Sequence, residues 1–318
     1  MNLHMSKMNG SIAKHYLIII IIGISCLCEN SIFAQTRVIE HDFSTFTGLN
    51  VEDNFDVTII NSDNYSLKIT VNESLAEYVR TYVKAQTLYI YLDEKAIPFS
   101  VRRMFKGKDA IKPVLKAIVF MPSINSLRLS DASSVSSDSV FETENSFLLD
   151  MSGKSSIDNL GIRANSAKLI LSKSAMADLG VTSDNIEVDA SGDSKLGLKK
   201  AGSILSVKSS GSSNVDINGD NEKMTIESSN SSKLNISGTA SELEVKCSGS
   251  STVDALGLSA DIANVTMTGP GTVIENASSI LTMDLSGNSK LVINGDPKIV
   301  IVNIKNSSVS HYSKTLEQ

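Results

Sequence analysis

The chain has 318 residues, of which 41% are hydrophobic and 20% are charged, so it is long enough to bury a large core and is not a disordered chain. Its 29 basic and 35 acidic residues give a net charge of −6, which argues against a general nucleic-acid binder. Cys26 and Cys28 lie in an N-terminal apolar stretch, and the remainder holds Cys247 alone, which excludes an intrachain disulfide scaffold and a cysteine-rich zinc site.

Residues 1–34 are predicted to be a secretory export signal. Two lysines precede an apolar run over residues 16–24, and a small-residue site ends at Ala34. The apolar run is too short for a comfortable membrane span, so we expect cleavage after Ala34 and export to the periplasm, the outer-membrane surface or the extracellular space. The alternative is a lipoprotein anchored through Cys26, which is disfavoured because Gly23 stands where a large aliphatic residue is expected.

Residues 35–120 alternate apolar and polar residues without a regular repeat. The pattern predicts strands over residues 55–59, 66–71 and 87–92, and a helical turn over residues 73–80. No sharp linker separates this region from the repeats that follow. Because the exposed strand edges at the end of a repeat array need a cover, we expect this region to form an N-terminal β cap and the first coils of the same structure.

The densest basic stretch of the chain lies within this region. It contains Arg102, Arg103, Phe105, Lys106 and Lys108 in an otherwise acidic protein. The stretch is a candidate partner-binding loop, which could contact an anionic glycan, a lipid headgroup or a partner protein with Phe105 inserted. The alternative is an exposed loop whose charges only keep it solvated.

One sequence phrase recurs through residues 121–314, which are followed by a tail at residues 315–318. Alternating apolar residues lead into a Ser-Gly-x-Ser turn and alternation then resumes, with steps of 18 to 20 residues between copies. Glycine and asparagine tolerate the left-handed backbone of a tight corner, whereas Lys173 and Asp131 fit it less well and predict a turn of another shape. The corner column comprises Gly153, Lys173, Gly192, Gly211, Asn230, Gly249, Gly269, Gly287 and Asn306.

This repeat predicts the fold class. Alternation on both sides of the turn indicates strands with one buried face, so we expect Leu205, Val207, Leu243 and Val245 to point into a core. A propeller blade would need roughly 40 residues, and the helix and leucine phrase of a leucine-rich repeat are absent from the sequence. Stacked copies would instead bury one continuous core, which predicts an all-β protein built as a β-solenoid.

The order of these segments resembles the head GIN domain family, whose members are described as autotransporter adhesins. Residues 46–60, 67–79, 87–90 and 121–130 carry the resemblance, which spans about residues 40–310. It implies a single-stranded right-handed parallel β-helix of about 19 residues per coil, similar to pectin-lyase-like folds without their catalytic residues. The matching motifs are hydrophobic templates with glycines, so they specify fold better than activity.

No catalytic, cofactor-binding or metal-binding residue is predicted. The Gly-Lys-Ser at residues 153–155 is explained by the repeat, because Leu148 stands where a phosphate-binding loop needs glycine. We expect Cys247 to be a buried structural thiol, and His41 and His311 to be exposed.

We therefore expect an exported, non-enzymatic β-helix for cell-surface adhesion or scaffolding, which binds glycan or protein through its outer faces. Self-association is a further possibility, since solenoid ends and flat faces readily stack. The alternative is a polysaccharide lyase or hydrolase, which would need two or more carboxylates about 5–10 Å apart in one groove. Outward carboxylates stand at Asp150, Asp189, Glu227, Glu244 and Asp284, scattered along the repeats.

Overall fold

The structure is a computed structural model that describes residues 35–108 and 110–312. The predicted export signal at residues 1–34, the alternative anchor at Cys26 and the predicted tail at residues 315–318 lie outside these residues. Within the described part of the chain, no helix has the length and apolar character needed to cross a membrane.

The first part of the described chain contains seven strands, a 3-10 helix (η1) and one short α-helix (α1). In chain order they are β1 (Thr36–Asp42), β2 (Gly48–Val51), β3 (Asp56–Asn61), β4 (Ser66–Asn72), η1 (Glu73–Tyr78), β5 (Val79–Lys84), β6 (Thr87–Leu92), α1 (Phe99–Met104) and β7 (Leu115–Met121).

The remainder is entirely β-structure joined by turns. Its strands are β8 (Ser126–Leu129), β9 (Ser134–Ser136), β10 (Val140–Glu142), β11 (Ser146–Met151), β12 (Ser156–Arg163), β13 (Ser166–Leu171), β14 (Met176–Thr182), β15 (Asn185–Ala190), β16 (Lys195–Ala201), β17 (Ile204–Ser209), β18 (Asn214–Asn218), β19 (Asn221–Ser228), β20 (Lys233–Ser248), β21 (Thr252–Thr268), β22 (Thr272–Glu275), β23 (Ala277–Ser286), β24 (Lys290–Ile293), β25 (Lys298–Lys305) and β26 (Ser308–His311).

The strands stack in parallel into a β-solenoid, which confirms the predicted fold class. Ile186 of β15 lies beside Leu205 of β17, and Leu205 lies beside Met224 of β19, so neighbouring coils are 19 residues apart. We call the parallel sheet that contains these three strands face A; it runs from β6 through β2, β8, β11, β13, β15, β17 and β19 to β25. Face B, after the corner, runs from β7 through β3, β9, β12, β14, β16 and β18 to β26.

The core lies between these faces and follows the predicted alternation. Leu205, Val207, Leu243 and Val245 are all fully buried, as expected. The serines that follow the corners also point inward, and several of them bond to carbonyls of their own corner or of the preceding coil. Ser232, for example, donates its hydroxyl to the carbonyl oxygen of Ser229 at 2.8 Å, so this buried hydroxyl is satisfied inside the stack.

The prediction that Lys173 and Asp131 would form corners of another shape is wrong. Both residues adopt the left-handed backbone, with φ of 59° and 58°, like the glycines of the column. The backbone N–H of Ser174 donates to the carbonyl oxygen of Gly153 at 2.9 Å, in register with the preceding coil. Hydrogen bonds between stacked corners therefore impose the common shape, and the exposed side chain of Lys173 extends into solvent.

The first coils are interleaved rather than stacked in chain order. On face A, β2 lies between β6 and β8, and on face B, β3 lies between β7 and β9. Beyond these strands the direction reverses: β5 is antiparallel to β6, β4 is antiparallel to β7, and β1 is antiparallel to β4. The predicted helical turn is the 3-10 helix η1, which buries Leu75, Ala76 and Tyr78. These elements close the N-terminal end of the core.

Candidate functional site

The predicted basic stretch forms a short helical projection on this cap. We call residues 98–108 the basic cap segment; it consists of Pro98, α1 and the turn that follows. Two hydrogen bonds hold it in place, from Arg102 Nε to the carbonyl oxygen of Ile97 at 2.8 Å and from the backbone N–H of Ile111 to the carbonyl oxygen of Met104 at 2.9 Å. The segment is therefore a helical turn fixed at both ends, where the sequence had suggested a loop.

The segment rests on the core through one side and exposes the other. Val101 and Phe105, four residues apart on the helical turn, both pack against the core. Phe99 is 78% exposed, and Met104 is also exposed. The sequence-based hypothesis gave the outward aromatic role to Phe105, but in the structure Phe99 is the aromatic ring presented to solvent.

A cavity of about 270 Å³ lies between the basic cap segment and the cap strands. This volume falls slightly below the roughly 300–1,000 Å³ of sites for drug-sized ligands. Of the predicted binding residues, Arg102, Phe105 and Lys106 line the cavity, whereas Arg103 and Lys108 do not. The full lining is Asn54, Leu75, Leu92, Glu94, Ile97, Arg102, Phe105, Lys106, Pro113 and Leu115.

The local density of positive charge distinguishes this segment from the rest of the described surface. It carries four positive side chains, Arg102, Arg103, Lys106 and Lys108, and no acidic one. Among the residues that the structure describes there are nine ion pairs, and none involves these four. Asp109, which follows the segment, lies outside the described residues. The four like charges create a positive local potential on an acidic protein.

Several outward charges of face A, by contrast, pair with one another between coils. Lys168 Nζ lies 2.8 Å from Glu187 Oε2, and Lys223 Nζ lies 3.1 Å from Glu242 Oε2. In both pairs the partners are 19 residues apart, which is the spacing of one coil. Exposed pairs of this kind add little stability, but they neutralise the face locally.

An open groove of about 650 Å³ follows face A beside the corners. Its charged residues alternate in sign along the stack in the order Asp189, Lys208, Glu227 and Lys246. Lys208 Nζ lies 3.8 Å from Glu227 Oε2, and the hydrogen bond from Lys246 to Glu244 raises the pKa of the Lys246 amine. A lysine thus stands between the carboxylates of neighbouring coils, and hydroxyl groups line the corner side.

The remaining candidate groups are dispersed. His41 and His311 are exposed, as expected. Cys247 is buried beside Ser251, and burial raises the pKa of its thiol, which suits a structural role. In the described ranges, no three histidine, cysteine, aspartate or glutamate side chains come together in a group that could hold a metal ion.

Comparison with known proteins assigns a family to this architecture. A family model described as "Putative auto-transporter adhesin, head GIN domain" matches residues 45–201 and 194–297. The chain belongs to this head GIN domain family. The resemblance inferred from the sequence is therefore confirmed, and no curated protein matches the chain.

Solved structures resemble this head GIN domain protein at low sequence identity. They include a putative adhesin from Parabacteroides merdae ATCC 43184 (15% identity, 88% of this chain and 98% of that chain covered, TM-score 0.44). A putative lipid binding protein from Parabacteroides distasonis ATCC 8503 shows 17% identity, the same two coverages and a TM-score of 0.49. A putative adhesin from the latter organism shows 16% identity, again with coverages of 88% and 98%, and a TM-score of 0.48.

Proposed function

We propose that the protein is an exported, non-enzymatic adhesion or scaffolding module that binds an anionic glycan or an acidic protein surface. The observation that carries the proposal is the basic cap segment, whose four cations form no ion pair among the described residues and stand beside the exposed ring of Phe99. Membership of a family described as adhesins supports the same assignment.

The way the segment is held favours binding. Val101 and Phe105 fix it on the core, so little conformational entropy is lost when a partner binds. Its clustered positive charge would attract carboxylate, sulfate or phosphate groups over about a Debye length, roughly 8 Å at physiological salt. Phe99 would add apolar contact to a sugar ring or to an apolar side chain.

The groove on face A supports a non-enzymatic role. A glycosidase needs one carboxyl group to act as acid and another to act as base or nucleophile across the scissile bond. In this groove Lys208 stands between Asp189 and Glu227, and it lies within ion-pair distance of Glu227. These two carboxylates thus alternate with a lysine along the stack of coils.

Binding of acidic and neutral polymers to the purified protein tests the proposal. We expect polygalacturonate, a sulfated glycan or an acidic protein to bind, neutral dextran not to bind, and affinity to fall as salt is raised. The double variant Arg103→Glu/Lys106→Glu should lower affinity about tenfold, since each lost ion pair between the protein and the polymer contributes up to about 1 kcal/mol.

A matched control makes the same change in net charge elsewhere. Lys195→Glu/Lys233→Glu alters two exposed lysines on face B and should leave affinity within about twofold of the parent protein, because long-range charge effects are screened. Equal loss in both double variants would contradict the assignment to the basic cap segment. Steady cleavage of a polysaccharide by the purified protein would contradict the non-enzymatic role.

A further inference from the structure

The last strand of face A is apolar and yet open to solvent. Ile299, Val300, Ile301, Val302 and Ile304 of β25 are each between 40% and 65% exposed. One backbone edge of β25 pairs in parallel with β23. The opposite edge has no partner strand among the described residues. An exposed, apolar strand edge is a template for pairing with another strand.

Three of these residues continue the core columns of the solenoid. Ile299 lies beside Leu281, Ile301 beside Met283, and Ile304 beside Leu285, all three of which are buried in the preceding coil. A register shift after Met283 places Val302 in a bulge and keeps the three isoleucines in register with the core. The end of the core is therefore presented to solvent, rather than an outer face.

The opposite end indicates which strand direction such a stack accepts. On face A the parallel stack ends with β5 antiparallel to β6, and on face B it ends with β4 antiparallel to β7. An antiparallel strand is thus compatible with the end of either column. The same addition at β25 would cover the open end of the core.

We propose that two copies of the protein associate through their C-terminal ends, with β25 antiparallel to β25 of the second copy. A symmetric dimer requires one patch to be complementary to itself. The strand Lys-Ile-Val-Ile-Val-Asn-Ile-Lys is nearly so, because in the centred register Ile299 would face Ile304 of the second copy, and Ile301 would face Val302. This self-complementarity is the reason for choosing a second copy over a foreign strand.

The size and charge of the end predict a weak dimer. The eight residues of β25 and the four of β26 are fewer than the roughly 20–30 residues per partner of a standard interface. In the same register Lys298 would face Lys305 of the second copy, and directly opposed like charges are destabilising. Association should therefore depend on protein concentration and should strengthen as salt screens the lysines.

Sedimentation velocity of the purified protein over a range of concentrations and salt tests this inference. We expect a monomer–dimer equilibrium that shifts toward dimer as sodium chloride is raised. Lys298→Glu should tighten the dimer about tenfold, because two Lys–Lys contacts become two Glu–Lys contacts. Ile301→Lys should weaken it at least about tenfold, because it places a charge at the centre of the apolar strand.

A control variant at the other end keeps the test specific. Val38 is an exposed valine on β1, the antiparallel strand beside β4 at the N-terminal end, and Val38→Lys should leave the dimer unchanged. Unchanged thermal melting of the Ile301→Lys monomer would separate loss of association from loss of folding. A protein that stays monomeric at all concentrations, or a Lys298→Glu variant that dimerises less well, would overturn the inference.

Discussion

At the N-terminal end of the solenoid, antiparallel strands and a 3-10 helix lie over the first coils, whereas at the C-terminal end the last coil exposes the apolar residues of its core columns. Phe46 in the cap is fully buried, while Ile301 in the last coil is 60% exposed. Each coil within the stack is covered by the coil on either side of it. A coil at an end lacks one of these neighbours, so its core must be covered by different elements or by a partner. The cap supplies those elements and also carries the basic cap segment.

The largest expected effect separates the two ends by stability. Phe46 makes edge-to-face contacts with Tyr65 and Phe43, at ring-centroid distances of 5.3 and 6.2 Å. Phe46→Ala should therefore lower the free energy of unfolding by about 3–5 kcal/mol. Ile301→Ala at the open end should lower it by about 1 kcal/mol or less, because much of that side chain already contacts water. Urea denaturation measures both, and equal losses would contradict the contrast between a closed end and an open end.

A smaller effect concerns a carboxyl group one coil before the open end. Glu275 is fully buried; its Oε2 accepts the backbone N–H of Ala277 at 2.7 Å, and its Oε1 has no partner among the described residues. Burial raises the pKa of Glu275 to about 7, only partly offset by this hydrogen bond. The side chain is therefore neutral in the folded protein at acidic pH.

The consequence for stability has a definite sign. Because the pKa of Glu275 is higher in the folded than in the unfolded chain, its stabilising contribution is complete below about pH 4.5 and is lost as pH rises to about 7. The loss amounts to about 3 kcal/mol at most. Glu275→Gln should flatten this dependence and stabilise the protein at pH 8, as measured by urea midpoints at pH 4.5 and pH 8. Glu222→Gln, at an exposed position, should retain the parent's pH dependence, and a Glu275→Gln variant that also retained it would refute the assignment.

The regular coils could be predicted from the sequence because each coil repeats the same alternation of apolar and polar residues. The inward positions of Leu205 and Val245 follow from alternation with a period of two, and the ion pair of Lys168 with Glu187 follows from the same spacing of 19 residues. The corner at Lys173 could not be predicted from residue type, because hydrogen bonds to a stacked neighbour outweigh the residue's own preference.

The cap was less predictable because its order depends on contacts distant in sequence. Nothing local indicates that β2 lies between β6 and β8, since the chain reaches these three strands in another order. The six residues of the helical turn α1 are too few to show a helical periodicity of apolar residues in the sequence. Only the spacing of Val101 and Phe105 could have indicated that Phe105 faces the core and that Phe99 is the exposed aromatic.

Hydrogen exchange resolved along the chain tests the contrast between the two ends most directly. In dilute protein, backbone amides in β4 and β6 should be strongly protected, and the amides of β25 that point away from β23 should exchange nearly as fast as in an unfolded chain. Raising the protein concentration should slow exchange in β25 and leave β4 and β6 unchanged. Strong protection throughout β25 in dilute protein would mean that the C-terminal end is covered within one copy, and would contradict the account.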